Sequence, residues 1–363
     1  MTSSTIHSKF QFWSYRLSTV LRSFKALYTL PPEKAQAFIK SYEVYNHDWA
    51  DEKELIQKMG PDYYQAIKQQ VINYYSVLNH LLALGQVEKM YIPPVMDLSA
   101  SVLTNQILFE RKMARDLGVG KGGKVLDIGC GRGRIANHIA SYTGAQVTGV
   151  NIDVGQLEDA RRFASGKGMA DQNEFQLADM NEIPLPFADQ SFDGVYEVQA
   201  FTYSKDLLEL FKDIHRILKP GAKFAALDWF RLKAYDPEDP HHNQLMKRIK
   251  PLIGAIGTIS PDQFTEFLEA AGFETLVSEN ASIDGLQAPL FENVDRFFTR
   301  ATKLIRFLVQ CKILPAHFAP IFDRLTQDGE ALVEADRLRL VTTCHYVLAQ
   351  KRFRDHQLSA LSI

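Results

Sequence analysis

The most specific chemistry in the chain lies in Val125-Leu126-Asp127-Ile128-Gly129-Cys130-Gly131-Arg132-Gly133. An apolar strand pattern runs directly into three glycines at alternate positions, and a helical pattern follows. Residues without a Cβ permit a tight turn and close approach of a ligand to backbone, and the helix start behind them offers unpaired N–H groups. Several nucleotide-like cofactors use such a loop, and so does a purely structural strand-to-helix turn. Spacing narrows the choice. Dinucleotide loops set their third glycine three residues after the second, whereas Gly133 follows Gly131 by two. Asp127, just ahead of the loop, would also repel a pyrophosphate.

A carboxylate at that strand end favours a cation instead. S-adenosylmethionine has no phosphate and carries an ammonium and a sulfonium, so it is the cofactor this loop implies. At the end of a second strand pattern, Asn151 and Asp153 can accept hydrogen bonds from ribose hydroxyls, about where nucleotide folds use an acid. Asp179-Met180 follows a third strand pattern. There a carboxylate can take the adenine amino proton while a polarizable thioether covers the ring face.

The elements that must hold these residues read as βαβ units. Short β-branched runs at 124–128, 145–150, 174–177, 192–198 and 223–229 alternate with helical patterns at 156–166 and 205–218, which predicts a doubly wound, mostly parallel sheet. Residues 31–118 are mostly helical, with a break at Pro93-Pro94. Beyond Trp229 come a helix before Gly254, another at 261–271, a strand at 273–278, helices through 287–330 and a closing hairpin strand at 338–348. The regions 1–118, 119–232 and 233–350 are thus an N-terminal helical region, a cofactor-binding core and a substrate-side part that completes the sheet, packed as one body.

With 41 Lys and Arg against 43 Asp and Glu, the net charge of -2 gives no electrostatic reason to bind nucleic acid. Cys130, Cys311 and Cys344 are scattered, without the spacing of a zinc site, and imply a reducing compartment. His241-His242 follows a proline and reads as a solvated loop, so no metal is expected. No apolar run is long enough to cross a bilayer and no secretory leader is evident, so the expected location is cytoplasmic. Residues 8–30 interleave Phe10, Trp13, Leu17, Leu21, Phe24 and Tyr28 with Lys9, Arg16, Arg22 and Lys25. They suit either a helix packed on the body or one lying in the surface of an intracellular membrane.

These motifs resemble class I methyltransferases and, more narrowly, the sterol 24-C-methyltransferase family, from about residue 72 onward. The glycine loop, Asn151 and Gln156, Asp179-Met180, Pro186-Phe187, Ser191-Phe192-Asp193 and Arg216 to Gly221 carry the likeness, followed by Tyr235-Asp236-Pro237, Ile253-Gly254 and Ala271 to Glu274. The resemblance implies a Rossmann-like fold with a mostly parallel seven-stranded sheet, an N-terminal helical extension and a helical substrate-side insertion. It also implies a cofactor set of Asp127, Gly129, Gly131, Gly133, Asn151, Ile152, Gln156, Asp179 and Met180, and a lipophilic acceptor such as a sterol or triterpenoid methylated at carbon.

The chain departs from that family on the acceptor side. The aromatic substrate motif after Tyr74-Tyr75 is replaced by Leu-Ala-Leu-Gly-Gln-Val at 82–87, and Gln199 and Tyr203 stand where the family has a glutamate and a histidine. Glu197 and Tyr203 are then the candidate catalytic pair, to orient the acceptor or remove a proton. Glu197 can equally bind cofactor or backbone, and Tyr203, Phe201, Trp229 and Phe230 can equally be wall or core. Methylation of oxygen or nitrogen, or a cofactor-binding cyclase or non-catalytic partner, remain the alternatives. A homo-oligomer is compatible with the sequence.

Overall fold

A computed structural model of the 363-residue chain describes residues 18–84 and 87–352. Its centre is one seven-stranded sheet in the order β3-β2-β1-β4-β5-β7-β6. The strands are β1 (Lys124–Ile128), β2 (Gln146–Asn151), β3 (Asn173–Leu177), β4 (Phe192–Val198), β5 (Leu218–Arg231), β6 (Phe273–Asn280) and β7 (Val341–Lys351). β1 to β5 are parallel, and β7 runs antiparallel between β5 and β6. This matches the seven strands expected from the sequence. β5 begins earlier than the apolar run suggested, because the Lys219-Pro220-Gly221 segment is absorbed as an irregularity between the Phe192–Leu218 and Gly194–Lys223 pairings.

The strands are buried on both faces and therefore read as apolar runs instead of alternating ones. Every residue of β1 after Lys124 is buried, as is nearly all of β7. Leu117, Val125, Ala140, Val147 and Phe175 pack on one side of the sheet, and Leu126, Val195, Phe211, Phe224 and Phe264 on the other. The chain leaves β1 for β2 and β3 and then returns to β4 on the opposite side. The strand order reverses there, which is where such sheets bind ligands, beyond the C-terminal strand ends.

Thirteen helices are described: α1 (residues 18–28), α2 (Pro32–Ser41), α3 (Glu52–Met59), α4 (Tyr63–Leu84), α5 (Val102–Leu117), α6 (Arg134–Thr143), α7 (Val154–Gly166), α8 (Leu207–Ile217), α9 (Pro240–Ile253), α10 (Pro261–Ala270), α11 (Ala288–Gln310), α12 (Phe318–Thr326) and α13 (Gly329–Arg337). The stretch before α5 is less helical than its composition suggested: residues 87–101 run as irregular chain. Leu27, Phe38, Tyr42, Tyr45, Tyr74 and Leu78 form one core with Ile256 and with Phe318, Ile321 and Phe322 of α12. Helices from both ends of the sequence thus build a common roof over the C-terminal strand ends.

Of the amphipathic stretch expected at 8–30, residues 8–17 lie outside the described part. In α1 the buried stripe is Thr19, Ser23 and Leu27, tied to the roof by a 2.8 Å hydrogen bond between His317 Nε2 and the Leu27 carbonyl. Leu21, Phe24 and Tyr28 remain exposed.

Candidate active site

The glycine loop leaves β1 and turns into α6 with φ of +77° at Gly129, +52° at Gly131 and +68° at Gly133, a region that L side chains rarely adopt. The three positions serve different ends. A Cβ on Gly133 would lie 2.6 Å from the Phe175 ring and 2.8 Å from Ala160, and one on Gly129 would strike Ala200. Those two glycines let the loop pack on its neighbours. A Cβ on Gly131 would meet only Gln156 Oε1 at 3.3 Å. Gly131 therefore faces open space, and that space is a cleft of about 900 Å³.

Gly129, Gly131, Asn151, Ile152, Gln156, Asp179 and Met180 all line this cleft, together with Tyr203. The structure thus gathers most of the residues singled out in the sequence on one surface. Asp127 and Gly133 stand behind it. Asp127 is buried under the loop and accepts a 2.8 Å hydrogen bond from Tyr196, and burial pushes its carboxyl up to about 7. Asp153 also lines the cleft, as a ribose acceptor would, and has a structural role besides. Its carboxylate caps α7, accepting from the Gly155 and Gln156 N–H groups and from Gln156 Nε2. Asp153 with Gln156 three residues on is a helix-start signature that the sequence already carried.

Asp179 sits in a cluster that the sequence did not reveal. Tyr64 donates to Oδ2 at 2.6 Å, Lys68 pairs with the same oxygen at 2.7 Å, and the Asn181 N–H donates to Oδ1 at 3.0 Å. Burial would raise this carboxyl, but the Lys68 and Tyr64 contacts outweigh it and hold Asp179 below the usual aspartate range. Tyr64 and Lys68 lie one turn apart on α4, where their spacing reads as an ordinary helix face. Beside Gly131, Arg132 faces a smaller recess shared with Lys89. It bonds Asp159 at 2.6 Å through Nε, while its Nη1 is buried with no hydrogen-bond partner among the described residues. A carboxylate in the recess would satisfy that nitrogen. An acceptor for an adenine amine at one end, open backbone in the middle and an unpaired guanidinium nitrogen at the other fit S-adenosylmethionine along its length.

The Tyr203 hydroxyl lies 3.0 Å from that of Tyr75 and 3.2 Å from that of Tyr45. Burial, reinforced by the neighbouring phenols, pushes it well above the ordinary tyrosine range, so it stays a neutral phenol. The loop carrying it is fastened to the roof by Trp49 Nε1, which donates to the Thr202 carbonyl at 2.8 Å.

Glu197 is placed differently from the acceptor-facing base expected from the sequence. It is fully buried and lines neither large cavity. Side chains alternate along β4, so Glu197 shares the face of Val195, and only Val198 reaches the cleft. The Glu197 carboxyl accepts from the Ala200 and Phe201 N–H groups, and the Phe201 N–H also donates to Asp228 at 2.9 Å. Burial and then the neighbouring Asp228 charge push Glu197 far up, while burial takes Asp228 to about 6. Burial thus favours the neutral acid form of Glu197, and its carboxyl holds the 199–203 loop in shape.

A second cavity of about 1300 Å³ adjoins the first. The two share Tyr75, Met90 and Gln199 as lining residues. Its walls are mainly apolar, from Leu78, Leu82, Ile92, Leu252, Leu290 and Leu332, with the rings of Tyr42, Tyr74, Tyr91, Phe291 and Phe298. The aromatic residues missing from 82–87 are thus supplied from α4, α11 and the chain around Tyr42. Gln199 holds the dividing wall. Its backbone has φ of +54°, its Nε2 donates to the Ile92 carbonyl at 2.8 Å and the Thr343 carbonyl at 2.5 Å, and its Oε1 accepts from the Ile92 N–H at 3.1 Å. A glutamate there could not donate to either carbonyl.

His241 and His242 lie in the first turn of α9 and not in the loop expected from the sequence, with their N–H groups capped by Asp239 and His241 in contact with Glu334 at 2.8 Å. Among the described residues no group of three or more His, Cys, Asp or Glu side chains is arranged to hold a metal ion.

A methyltransferase domain family matches residues 126–226. Sterol 24-C-methyltransferase ERG6B of Gibberella zeae is 32% identical over 263 residues, spanning 67% of this chain and 69% of that protein. The chain belongs to the sterol 24-C-methyltransferase family. Botryococcene C-methyltransferase of Botryococcus braunii is 30% identical to it, over 71% of this chain and 68% of its own. Among solved structures, the (4+2)-cyclase SpnF superposes with a TM-score of 0.60 at 19% identity, covering 79% of this chain and 97% of that one, and shares its fold. This sterol methyltransferase relative is thus an S-adenosylmethionine-dependent methyltransferase with a Rossmann-like core, as its glycine loop implied.

Proposed function

We propose that this enzyme methylates a carbon atom of a bulky hydrophobic acceptor, a sterol, a triterpenoid or a skeleton of similar size. One observation carries the reading: an apolar, ring-lined cavity large enough for such a skeleton meets the cofactor cleft at Tyr75, Met90 and Gln199. The two relatives named above, called after carbon methylation of a sterol and of botryococcene, support it.

S-adenosylmethionine, when bound, supplies an electrophilic methyl group. Gly131, Asn151, Gln156, Asp179 and Arg132 hold the donor in the cleft. The apolar second cavity presents the acceptor at the shared wall, so that much of the acceleration comes from positioning. Tyr74 and Tyr75, packed edge to face with ring centroids 5.0 Å apart, line the cavity and offer aromatic rings near any positive charge that develops on the acceptor. Incubating pure enzyme with methyl-labelled cofactor and a panel of sterols, triterpenes and smaller phenols or amines tests the reading. Label in a carbon-bound methyl of a polycyclic or long-chain acceptor is expected. Transfer only to oxygen or nitrogen of small acceptors, or cofactor binding without release of S-adenosylhomocysteine, would overturn it.

Among the described residues no helix is long and apolar enough to cross a membrane. We propose a shallower contact, in which Leu21, Phe24 and Tyr28 of α1 rest on a lipid surface with Arg22 and Lys25 beside them. All five are exposed, and no acidic residue interrupts the helix. Flotation with anionic vesicles should recover the wild type and lose a Leu21→Ser, Phe24→Ser, Tyr28→Ser triple variant. Equal flotation of both would remove α1 as the contact.

A further inference from the structure

The larger cavity is mainly apolar, with Lys89, Gln199, Arg324 and Thr326 as polar lining residues. Arg324, in the last turn of α12, lines it with its guanidinium 4.2 Å from the centroid of the Tyr42 ring. Other arginines around it are compensated by carboxylates: Arg306 by Asp323 at 2.6 Å, Arg248 by Asp328 at 2.7 Å and Glu330 at 2.6 Å, and Arg337 by Glu292. Lys89, the cavity's other cation, is paired with Glu110. Arg324 has only a 3.0 Å hydrogen bond from Nη1 to the Gln327 side-chain oxygen, and among the described residues no carboxylate pairs with it. One uncompensated positive charge therefore stands at the edge of a cavity otherwise suited to hydrocarbon.

We propose that Arg324 anchors a carboxylate on the acceptor, so that the substrate is a bulky hydrophobic acid held by its charged end. This rests on the larger cavity being the acceptor site. A guanidinium fork matches a carboxylate in two parallel hydrogen bonds. Because Arg324 is half-exposed, the acid group keeps part of its hydration and avoids the cost of burying a charge in an apolar wall. Among the described residues of the cavity wall one cation lacks a carboxylate, which matches one negative charge and favours a carboxylate over a diphosphate.

The arrangement also sets which end of the acceptor reacts. Between the guanidinium and the wall shared with the cofactor cleft lie three successive contacts, Arg324 to Tyr42 at 4.2 Å, Tyr42 to Tyr74 at 5.1 Å and Tyr74 to Tyr75 at 5.0 Å. The methylated carbon therefore lies at the opposite end of the skeleton from the acid.

Equilibrium binding of cholanoic acid, its methyl ester and the corresponding alcohol to the full chain, with S-adenosylhomocysteine present, tests the assignment. The wild type should bind the acid about tenfold more tightly than the ester or alcohol, as expected for a charge-assisted pair. Arg324→Gln should erase that preference by weakening the acid alone, and Arg324→Lys should keep part of it. Equal affinity of the wild type for acid and ester, or an acid affinity unchanged in Arg324→Gln, would overturn the anchor and leave the cavity reading intact. If none of the three probes binds, the cavity reading fails and the anchor falls with it. Should Arg324→Gln fail to fold, the wild-type ratio of acid to ester and the lysine variant decide.

Discussion

The hydroxyls of Tyr203 and Tyr75 lie 3.0 Å apart, joining the loop after β4 to the helical roof at the edge of the cofactor cleft. Because Tyr203 stays protonated, it is a donor and a spacer and not a base. Tyr203→Phe should leave S-adenosylhomocysteine affinity within about twofold, lower kcat by about tenfold and cost about 1 kcal/mol of stability through the lost hydrogen bonds. Wild-type kcat should not rise with phenolate formation between about pH 7 and 10. A rise that Tyr203→Phe removes would make Tyr203 a base.

If the cofactor ammonium sits over the glycine loop, the Asp127 carboxylate behind it gives cofactor binding a pH dependence. Its carboxyl is raised to about 7, so it becomes mostly ionised only above that point. An ammonium nearby favours the ionised form. Affinity for S-adenosylhomocysteine should therefore climb as pH rises through about 7 and fall below it. Folding stability moves the other way: the folded state holds the extra proton between the unfolded aspartate value and about 7, so the Asp127 contribution declines as pH rises through that window. Calorimetry on the wild type and Asp127→Asn checks both, and the variant should show weaker affinity with a flattened profile.

For Glu197, the neutral isostere is the informative change. Glu197→Gln should keep kcat within about threefold of wild type, since burial already favours the uncharged form and an amide oxygen can still accept from Ala200 and Phe201. Glu197→Ala should lose more, through thermal stability and KM, because the Ala200 N–H is left unpaired and Phe201 keeps only its bond to Asp228. A hundredfold fall in kcat for Glu197→Gln with unchanged melting temperature would restore it as a catalytic base.

The glycines of the loop should separate by phenotype. Gly133→Ala places a methyl against Phe175 and Ala160 and should destabilise the fold by about 1–3 kcal/mol. Gly131→Ala carries backbone strain but little clash. It should fold, with S-adenosylhomocysteine affinity reduced by about tenfold or more, because the methyl fills the space where backbone meets ligand. Melting curves with and without ligand distinguish the two.

What the sequence made legible was whatever neighbouring residues determine. The β1 strand, its glycine turn and the Asp179-Met180 pair are local patterns, and each lies where its spacing implied. Glu197 was misplaced although strand alternation along β4 signalled its buried face, and the capping role of Asp153 was legible in its pairing with Gln156. Tyr64, Lys68 and Arg132 carry no local signal, since on a helix face or in a turn they look like ordinary surface residues. The pairing of Tyr42 with Arg324 joins chain segments far apart in sequence, and only the packing of α12 onto α2 and α4 brings them together.

The placement of β7 between β5 and β6 has a consequence for how the enzyme is made. During synthesis the strands from β1 to β5 emerge long before Val341–Lys351, so the nascent sheet exposes the free edge of β5 and β6 has nothing to pair with. The Thr343 carbonyl that anchors Gln199 arrives with that last strand. A nascent chain can therefore shape the cofactor loop early, but the partition between donor and acceptor forms only once Val341–Lys351 has been made. Until then β5 presents an unpaired edge of the kind that favours aggregation.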